Sequence, residues 1–186
     1  WALVPRGNAS DIDLAVGAAH KAFTSGEWPK LTATARGHLI RRLGDLVSEN
    51  AEHLAEIEVK DNGKLIAEMG VQTKYAAQWY YYFGGLADKI EGGILPIDKP
   101  DHFTYTTHEP LGVIAMIIPW NSPLLLLTWK LAAALAAGNT VVVKPSEYTS
   151  ASALAFAELV EKAGFPKGVF NVVTGYGNEA GEPLVT

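Results

Sequence analysis

Three short stretches hold polar or glycine residues at positions where their types and spacing could do chemistry. In Pro119-Trp120-Asn121-Ser122-Pro123, two prolines fix the backbone around a side-chain amide. Such an amide either caps a following helix or aims its NH2 at a developing negative charge as an oxyanion donor. The residues alone leave both readings open. In Lys144-Pro145-Ser146-Glu147, an ammonium and a carboxylate stand within one turn of chain. They form a local ion pair with the Glu at a helix N-terminus, or they bind a nucleotide. In the second case Lys144 holds ribose or phosphate oxygens and Glu147 accepts from two ribose hydroxyls. A carboxylate there repels a 2′-phosphate, which favours NAD over NADP. The third stretch, Gly175-Tyr176-Gly177 with Gly181, reads G-x-G-x-x-x-G. It departs from the dinucleotide fingerprint G-x-G-x-x-G, yet it permits close backbone approach to a ligand.

All three stretches follow apolar runs of strand type. Val113 to Ile118, Thr140 to Val143 and Val169 to Val173 are separated by helical patterns over residues 123–137 and 149–163, which stop at Gly138 and Gly164. Apolar strands without alternation, with helices between them, specify a parallel sheet covered on both faces. This predicts an α/β fold whose carboxyl half is a βαβαβ half of a doubly wound, Rossmann-like sheet. In such sheets ligands gather at the carboxyl ends of the strands, where the three stretches lie.

The preceding part of the chain reads as a helical layer. Ser10 and Asp13 form an S-x-x-D capping signal for a helix over residues 11–24. Two further helices carry Leu39, Ile40, Leu43, Leu46 and Val47, then Leu54, Ile57 and Val59, and end at Asn62-Gly63. A longer helical pattern over residues 65–90 places Tyr75, Trp79, Tyr82 and Phe83 on one stripe, read as a packing face. Ile94 to Ile97 and Phe103 to Thr107, flanked by prolines, predict a protruding β-ribbon that needs covering, by a partner subunit among others. The expected division is a helical part at 1–91, a ribbon at 92–109 and the sheet at 110–186.

Composition bounds the function. Fifteen Lys and Arg against twenty Asp and Glu give a net charge of −5, which argues against a nucleic-acid surface. Residues 111–137 approach a membrane span in apolarity, but Pro119, Asn121, Pro123 and Lys130 interrupt them. The count of cysteines is zero, so these residues hold no disulfide, no zinc-thiolate site and no thiol nucleophile. Five histidines at 20, 38, 53, 102 and 108 show no metal-ligand spacing. No secretory signal opens the chain, which favours a cytoplasmic protein. Leu3 to Gly7 read LVPRG, like a protease-site tag, but they run straight into a helix start as native sequence does.

Glu109-Pro110-Leu111-Gly112-Val113, Pro119-Trp120-Asn121, Gly138-Asn139-Thr140-Val141-Val142-Val143-Lys144-Pro145-Ser146-Glu147, Gly164-Phe165-Pro166 and Asn171-Val172-Val173-Thr174-Gly175 together resemble the aldehyde dehydrogenase superfamily, in order and spacing and over essentially the whole chain. The resemblance implies oxidation of an aldehyde to a carboxylic acid with NAD or NADP, through a cysteine thiohemiacetal that a general-base glutamate helps to hydrolyse. It makes Asn121 the side-chain oxyanion donor. Ile117, Ile118, Pro119 and Trp120 become cofactor-cleft wall, Lys144 and Glu147 the adenosine-ribose ligands, and Gly177 and Gly181 close-approach glycines. It matches Lys130 to a lysine on a proton path, against a plain reading as a snorkelling surface lysine. Trp129, Ser122 and Leu126 fall near the substrate tunnel, where a small Ser122 leaves room for a bulkier aldehyde. The ribbon matches an oligomerisation segment, implying a homodimer or homotetramer. The family's cysteine, its general base and its second glycine motif would lie beyond Thr186, so the chain is expected to be the inactive amino-terminal half of such an enzyme. A different class of reading, a non-catalytic scaffold or oligomerising module on the same half-fold, needs no cysteine.

Overall fold

Val141, Val142 and Val143 are fully buried at the centre of β4 (Thr140–Pro145), the middle strand of a three-stranded parallel sheet in a computed structural model that describes residues 1–186. Its neighbours are β3 (Val113–Ile118) and β5 (Phe170–Val172), in register through Val113↔Thr140, Ile118↔Pro145 and Val143↔Val172. Burial on both sides explains why β4 reads as an uninterrupted apolar run. The edge strand β3 is different. Met116 and Ile118 are buried, whereas Ala115 and Ile117 are exposed. The expectation of cover on both faces therefore holds at β4 and fails at β3, whose second face stays open.

One face of the sheet carries the main core. Val141, Val143, Met116 and Ile118 pack there against α5 (Pro123–Ala136) and α6 (Ala151–Ala163). Helices α2 (Ala33–Glu49), α3 (Ala51–Asn62) and α4 (Ile66–Leu86) lie behind them and share the same cluster through Ile40, Leu43, Leu54 and Tyr80. The opposite face is covered by α1 (Ala9–Thr24), where Ile12 and Ala19 meet Val142 and the Thr140 hydroxyl donates to the Ala19 carbonyl at 3.0 Å.

The helix ends follow local chemistry. Gly63 and Gly164 adopt left-handed conformations after α3 and α6, as the glycine stop signals predict. The start of α1 differs from the sequence reading: Asn8 is the N-cap, and Asn8 with Asp11 forms the reciprocal capping box in place of Ser10 and Asp13. After α5, Asn139 accepts from the Gly112 N–H at 3.0 Å and donates to the Ala134 carbonyl at 3.1 Å, tying the start of β3 to the end of α5. The Trp28 indole donates to the Gly138 carbonyl at 2.9 Å from the other side.

Helix α4 divides one reading. Its buried residues are Met69, Thr73, Ala76, Ala77, Tyr80 and Gly84. In the stripe read as a packing face, Trp79 and Phe83 are half-buried against the main core, whereas Tyr75 is 54% and Tyr82 60% exposed; the four line an open groove of about 820 Å³. Both sides of this helix are apolar, and the side with small residues is the one that lets α2 approach. The ribbon is shorter than its sequence pattern: β1 (Ile94–Leu95) and β2 (Thr104–Tyr105) pair antiparallel over two residues each, leaving Ile94, Phe103 and Tyr105 exposed.

The α2–α4 crossing depends on the absence of side chains at two positions. A Cβ on Gly37 would sit 2.5 Å from the Gly84 carbonyl oxygen, and one on Gly84 would meet the Gly37 carbonyl at 2.9 Å. Gly37→Ala should therefore force the helices apart and destabilise the fold by about 1–3 kcal/mol. Urea titration checks this, and an unchanged midpoint would rule out so tight a crossing.

Candidate functional site

Strand β3 ends at Ile118 and α5 begins at Pro123, so residues 119–122 must reverse the chain at the carboxyl edge of the sheet. Ser122 makes the turn in a left-handed conformation, φ 50° and ψ 52°, and is the one non-glycine residue with positive φ. A residue with a Cβ resists that conformation. Neither candidate cap behaves as one. Ser122 occupies the N-cap position of α5 without a side-chain capping bond; its hydroxyl accepts from Lys64 Nζ at 2.7 Å. Asn121 is exposed, and its amide makes no hydrogen bond within the chain. The N-cap reading thus fails for both, and the Asn121 amide is free to meet a ligand.

Helix α5 is capped from a distance. Pro123 has no N–H, so the first free donor is the Leu124 amide, which Glu58 of α3 accepts at 2.7 Å. The same Glu58 oxygen accepts from the Ser152 hydroxyl at 3.3 Å. One turn further along α3, Asp61 accepts from the Ala151 amide at 2.8 Å, at the start of α6. Glu58 is 1% exposed, and burial raises its carboxyl to about 7, against the lowering pull of the Leu124 N–H, the Ser152 hydroxyl and the Lys64 charge. Sequence reasoning passed over Glu58, Asp61 and Lys64. One signal was available: Glu58 falls on the apolar stripe of α3, at helical spacing from Ala51, Leu54 and Ala55, all buried.

At the end of β4, Lys144 is 3% exposed and its ammonium reaches Glu147 Oε2 at 3.1 Å. The Glu147 backbone N–H, together with Lys144, holds the Glu147 carboxyl below the usual carboxylate range. The plain reading of this stretch holds for its local ion pair but not for its helix end: Glu147 precedes α6, and Asp61 serves the N-terminus of that helix. Lys144 is the register partner of Ile117, which is 48% exposed. Ile117 and Lys144 therefore stand side by side on one face of the sheet, Ile117 open and Lys144 buried, with Pro119 and Trp120 exposed beyond them. Ile118 points the other way, 2% exposed in the core, so its side chain is no part of an open wall.

The third stretch follows β5. Gly175 has φ +152°, and a Cβ there would lie 2.6 Å from the Gly7 carbonyl oxygen, so packing alone demands a glycine. Gly177 and Gly181 bound a five-residue π-turn, and a Cβ at either would meet nothing within 4 Å. Nothing within the fold requires glycine at those two positions; Gly177 is exposed, which suits approach by something outside the fold, whereas Gly181 is buried. The amino-terminal segment braces this loop. Gly7 N–H donates to the Thr174 carbonyl at 2.8 Å, Thr174 Oγ1 donates to the Pro5 carbonyl at 2.6 Å, and Arg6 pairs with Glu179 while stacking over Tyr176 at 4.8 Å. Residues 5–7 are therefore built into the fold.

Lys130 and Trp129 lie on the exposed side of α5. The Lys130 ammonium donates to the Leu126 carbonyl one turn back at 3.3 Å, and Trp129 packs against Trp79 with ring centroids 5.7 Å apart. Lys130 is thus separate from the Lys144–Glu147 pair.

Comparison with known proteins decides the kinship. The family model described as "Aldehyde dehydrogenase family" matches residues 1–186. The chain belongs to the aldehyde dehydrogenase family. Among aldehyde dehydrogenase relatives, it is 49% identical over 184 residues to (Z)-2-((N-methylformamido)methylene)-5-hydroxybutyrolactone dehydrogenase of Acinetobacter baylyi, covering 99% of this chain and 38% of that protein. It is 52% identical over 181 residues to hydroxyisobutyraldehyde dehydrogenase of Mycolicibacterium austroafricanum, covering 97% and 35%. The NAD+ complex of an aldehyde dehydrogenase from Bacillus cereus superposes with a TM-score of 0.96 at 46% identity, over 99% of this chain and 38% of that one. The chain therefore spans less than two fifths of the length of these aldehyde dehydrogenases. No helix is long and apolar enough to cross a membrane; residues 111–137 form β3 and the largely buried α5.

The buried Glu58 gives stability a pH dependence of known sign. With its carboxyl raised from 4.5 to about 7, the folded chain binds more protons than the unfolded chain inside that window. Stability contributed by protonated Glu58 is complete below about 4.5 and is lost as the pH rises through about 7. Glu58→Gln should remove this component, so the difference in urea midpoint between wild type and variant shifts across the window and is flat above it. A constant difference would contradict the assignment.

Proposed function

We propose that this chain is the cofactor-binding part of an NAD-dependent aldehyde dehydrogenase that converts an aldehyde to a carboxylic acid. The observation that carries the reading is the pairing of Ile117 with buried Lys144 at the open carboxyl edge of the sheet. After the neighbouring strand β5 come two glycines, Gly177 and Gly181, where a side chain would meet nothing within 4 Å. A cleft with an apolar wall, a cation, a hydrogen-bond-accepting carboxylate and bare backbone suits a dinucleotide.

NAD, when bound, supplies the acceptor for the hydride leaving the aldehyde carbon. The residues of this chain bind and orient. Glu147 would accept from the adenosine-ribose hydroxyls, and Lys144 would hold the same ribose. Ile117, Pro119 and Trp120 form the wall against which the cofactor lies, with the Ile118 backbone behind them, and Gly177 and Gly181 let the main chain come close. NAD is favoured over NADP because the Glu147 carboxylate opposes a 2′-phosphate.

Asn121 points its amide from a backbone fixed by Pro119, Pro123 and the strained Ser122, which keeps it in place as an oxyanion donor without reorganisation. These 186 residues contain no cysteine, so a thiohemiacetal needs a thiol from elsewhere in the polypeptide, and the 186 residues alone do not turn over aldehyde. Ser122, Leu126 and Trp129 border the aldehyde side, and Lys130 takes part in proton movement at its outer end. The exposed apolar ribbon of β1 and β2 is the subunit contact of a homodimer or homotetramer, and the protein works in the cytoplasm, where a free thiol stays reduced.

In the complete enzyme, Asn121→Ala should lower kcat for aldehyde oxidation about 10²- to 10³-fold while leaving the NAD dissociation constant near wild type. An unchanged kcat would remove Asn121 from the chemistry. Glu147→Gln should narrow the ratio of kcat/KM for NAD over NADP; the same ratio in both enzymes would dismiss Glu147 as the discriminating group.

A further inference from the structure

We propose that Glu58 is a positioning residue for Asn121. From α3 it holds the start of α5, and so sets the turn that aims the Asn121 amide. The inference rests on the reading of Asn121 as an oxyanion donor, but its geometry stands apart from that reading.

The Asn121 side chain makes no bond of its own within the chain, so its direction is set by the backbone of residues 119–122. That backbone has two anchors. One is β3, hydrogen-bonded to β4 up to the Ile118↔Pro145 pair. The other is the first turn of α5, where Glu58 takes the Leu124 N–H at 2.7 Å. Between them Ser122 stays left-handed, a conformation that persists only where the surroundings over-determine it. Lys64 contributes by holding the Ser122 hydroxyl at 2.7 Å.

A local cap would serve helix stability alone. Ser122 is of the type that normally provides one, and a serine cap carries none of the desolvation penalty of a buried carboxylate. The chain instead spends a carboxylate, 1% exposed, from 66 positions away. The remote cap frees Ser122 from capping geometry. It can then take the left-handed conformation that turns Asn121 out to the ligand edge. Glu58 also accepts from Ser152 at the start of α6, so the same atom links the turns after β3 and β4.

The test uses the complete enzyme with Glu58→Ala, Glu58→Gln and Asn121→Ala. Glu58→Ala should lower kcat about 10- to 100-fold, since a displacement near 1 Å is enough for that, with the NAD dissociation constant within about twofold of wild type. Glu58→Gln keeps an acceptor for Leu124 and should recover most of the loss. Glu58→Ala combined with Asn121→Ala should lose no more than Asn121→Ala alone, because both act through one amide. Losses that multiply, or a parallel loss of NAD binding, would overturn the proposal. Should Glu58→Ala fail to fold, Glu58→Asp keeps the charge, withdraws the oxygen from Leu124 and should show the same split in smaller degree; wild-type kcat in Glu58→Asp would overturn it too. Crystal structures of the variants separate the two claims. Asn121 displaced, with Asn121→Ala fully active, upholds the positioning and removes the oxyanion role. Asn121 unmoved overturns the positioning whatever the activity.

Discussion

Helices that follow the strands of a parallel sheet begin beside the ligand edge with unpaired N–H groups, and in this chain the α3 carboxylates Glu58 and Asp61 take those groups at α5 and α6. Much of the architecture follows from that constraint. Because α3 must reach both helix starts, the helical layer and the sheet share one core through Leu54, Tyr80, Leu131 and Phe156. Because the caps come from outside, the turns after β3 and β4 are relieved of capping and present Asn121 and Glu147 to the edge. Burial of Glu58 carries a desolvation penalty, offset in part by two hydrogen bonds and the nearby Lys64 charge.

The open face of β3 is the second consequence. With α1 covering the sheet around Val142, Ile117 stays exposed beside the buried Lys144. The amino-terminal residues Pro5 to Gly7 brace the loop after β5. Three segments distant in sequence thus end at the carboxyl edge of the sheet, and each brings one kind of surface: apolar side chains, a charge pair, and glycine backbone.

Much of this was legible in the sequence. The unbroken apolar runs gave the three strands of the parallel sheet, and Gly63 and Gly164 marked helix ends because a left-handed residue is chemically obvious. The misreadings have physical causes. Asn8–Asp11 and Ser10–Asp13 both satisfy the capping pattern, and only packing of Ile12 and Ala19 selects between them. The aromatic stripe of α4 packs only through Trp79 and Phe83, because period does not say which apolar side lies deepest; the close approach of Gly37 and Gly84 decides that. Ile117 and Ile118 look alike in sequence and face opposite sides of an edge strand. The Glu58–Leu124 bond spans 66 positions and leaves no local pattern beyond a carboxylate on an apolar stripe.

The most direct measurement for the central claim is a crystal structure of the complete polypeptide with NAD. The account predicts adenosine-ribose hydroxyls on Glu147 and Lys144, with their mutual contact loosened, the cofactor against Ile117 and Trp120, and backbone contact near Gly177. NAD bound away from this edge, with the Lys144–Glu147 pair still closed at 3.1 Å, would contradict it.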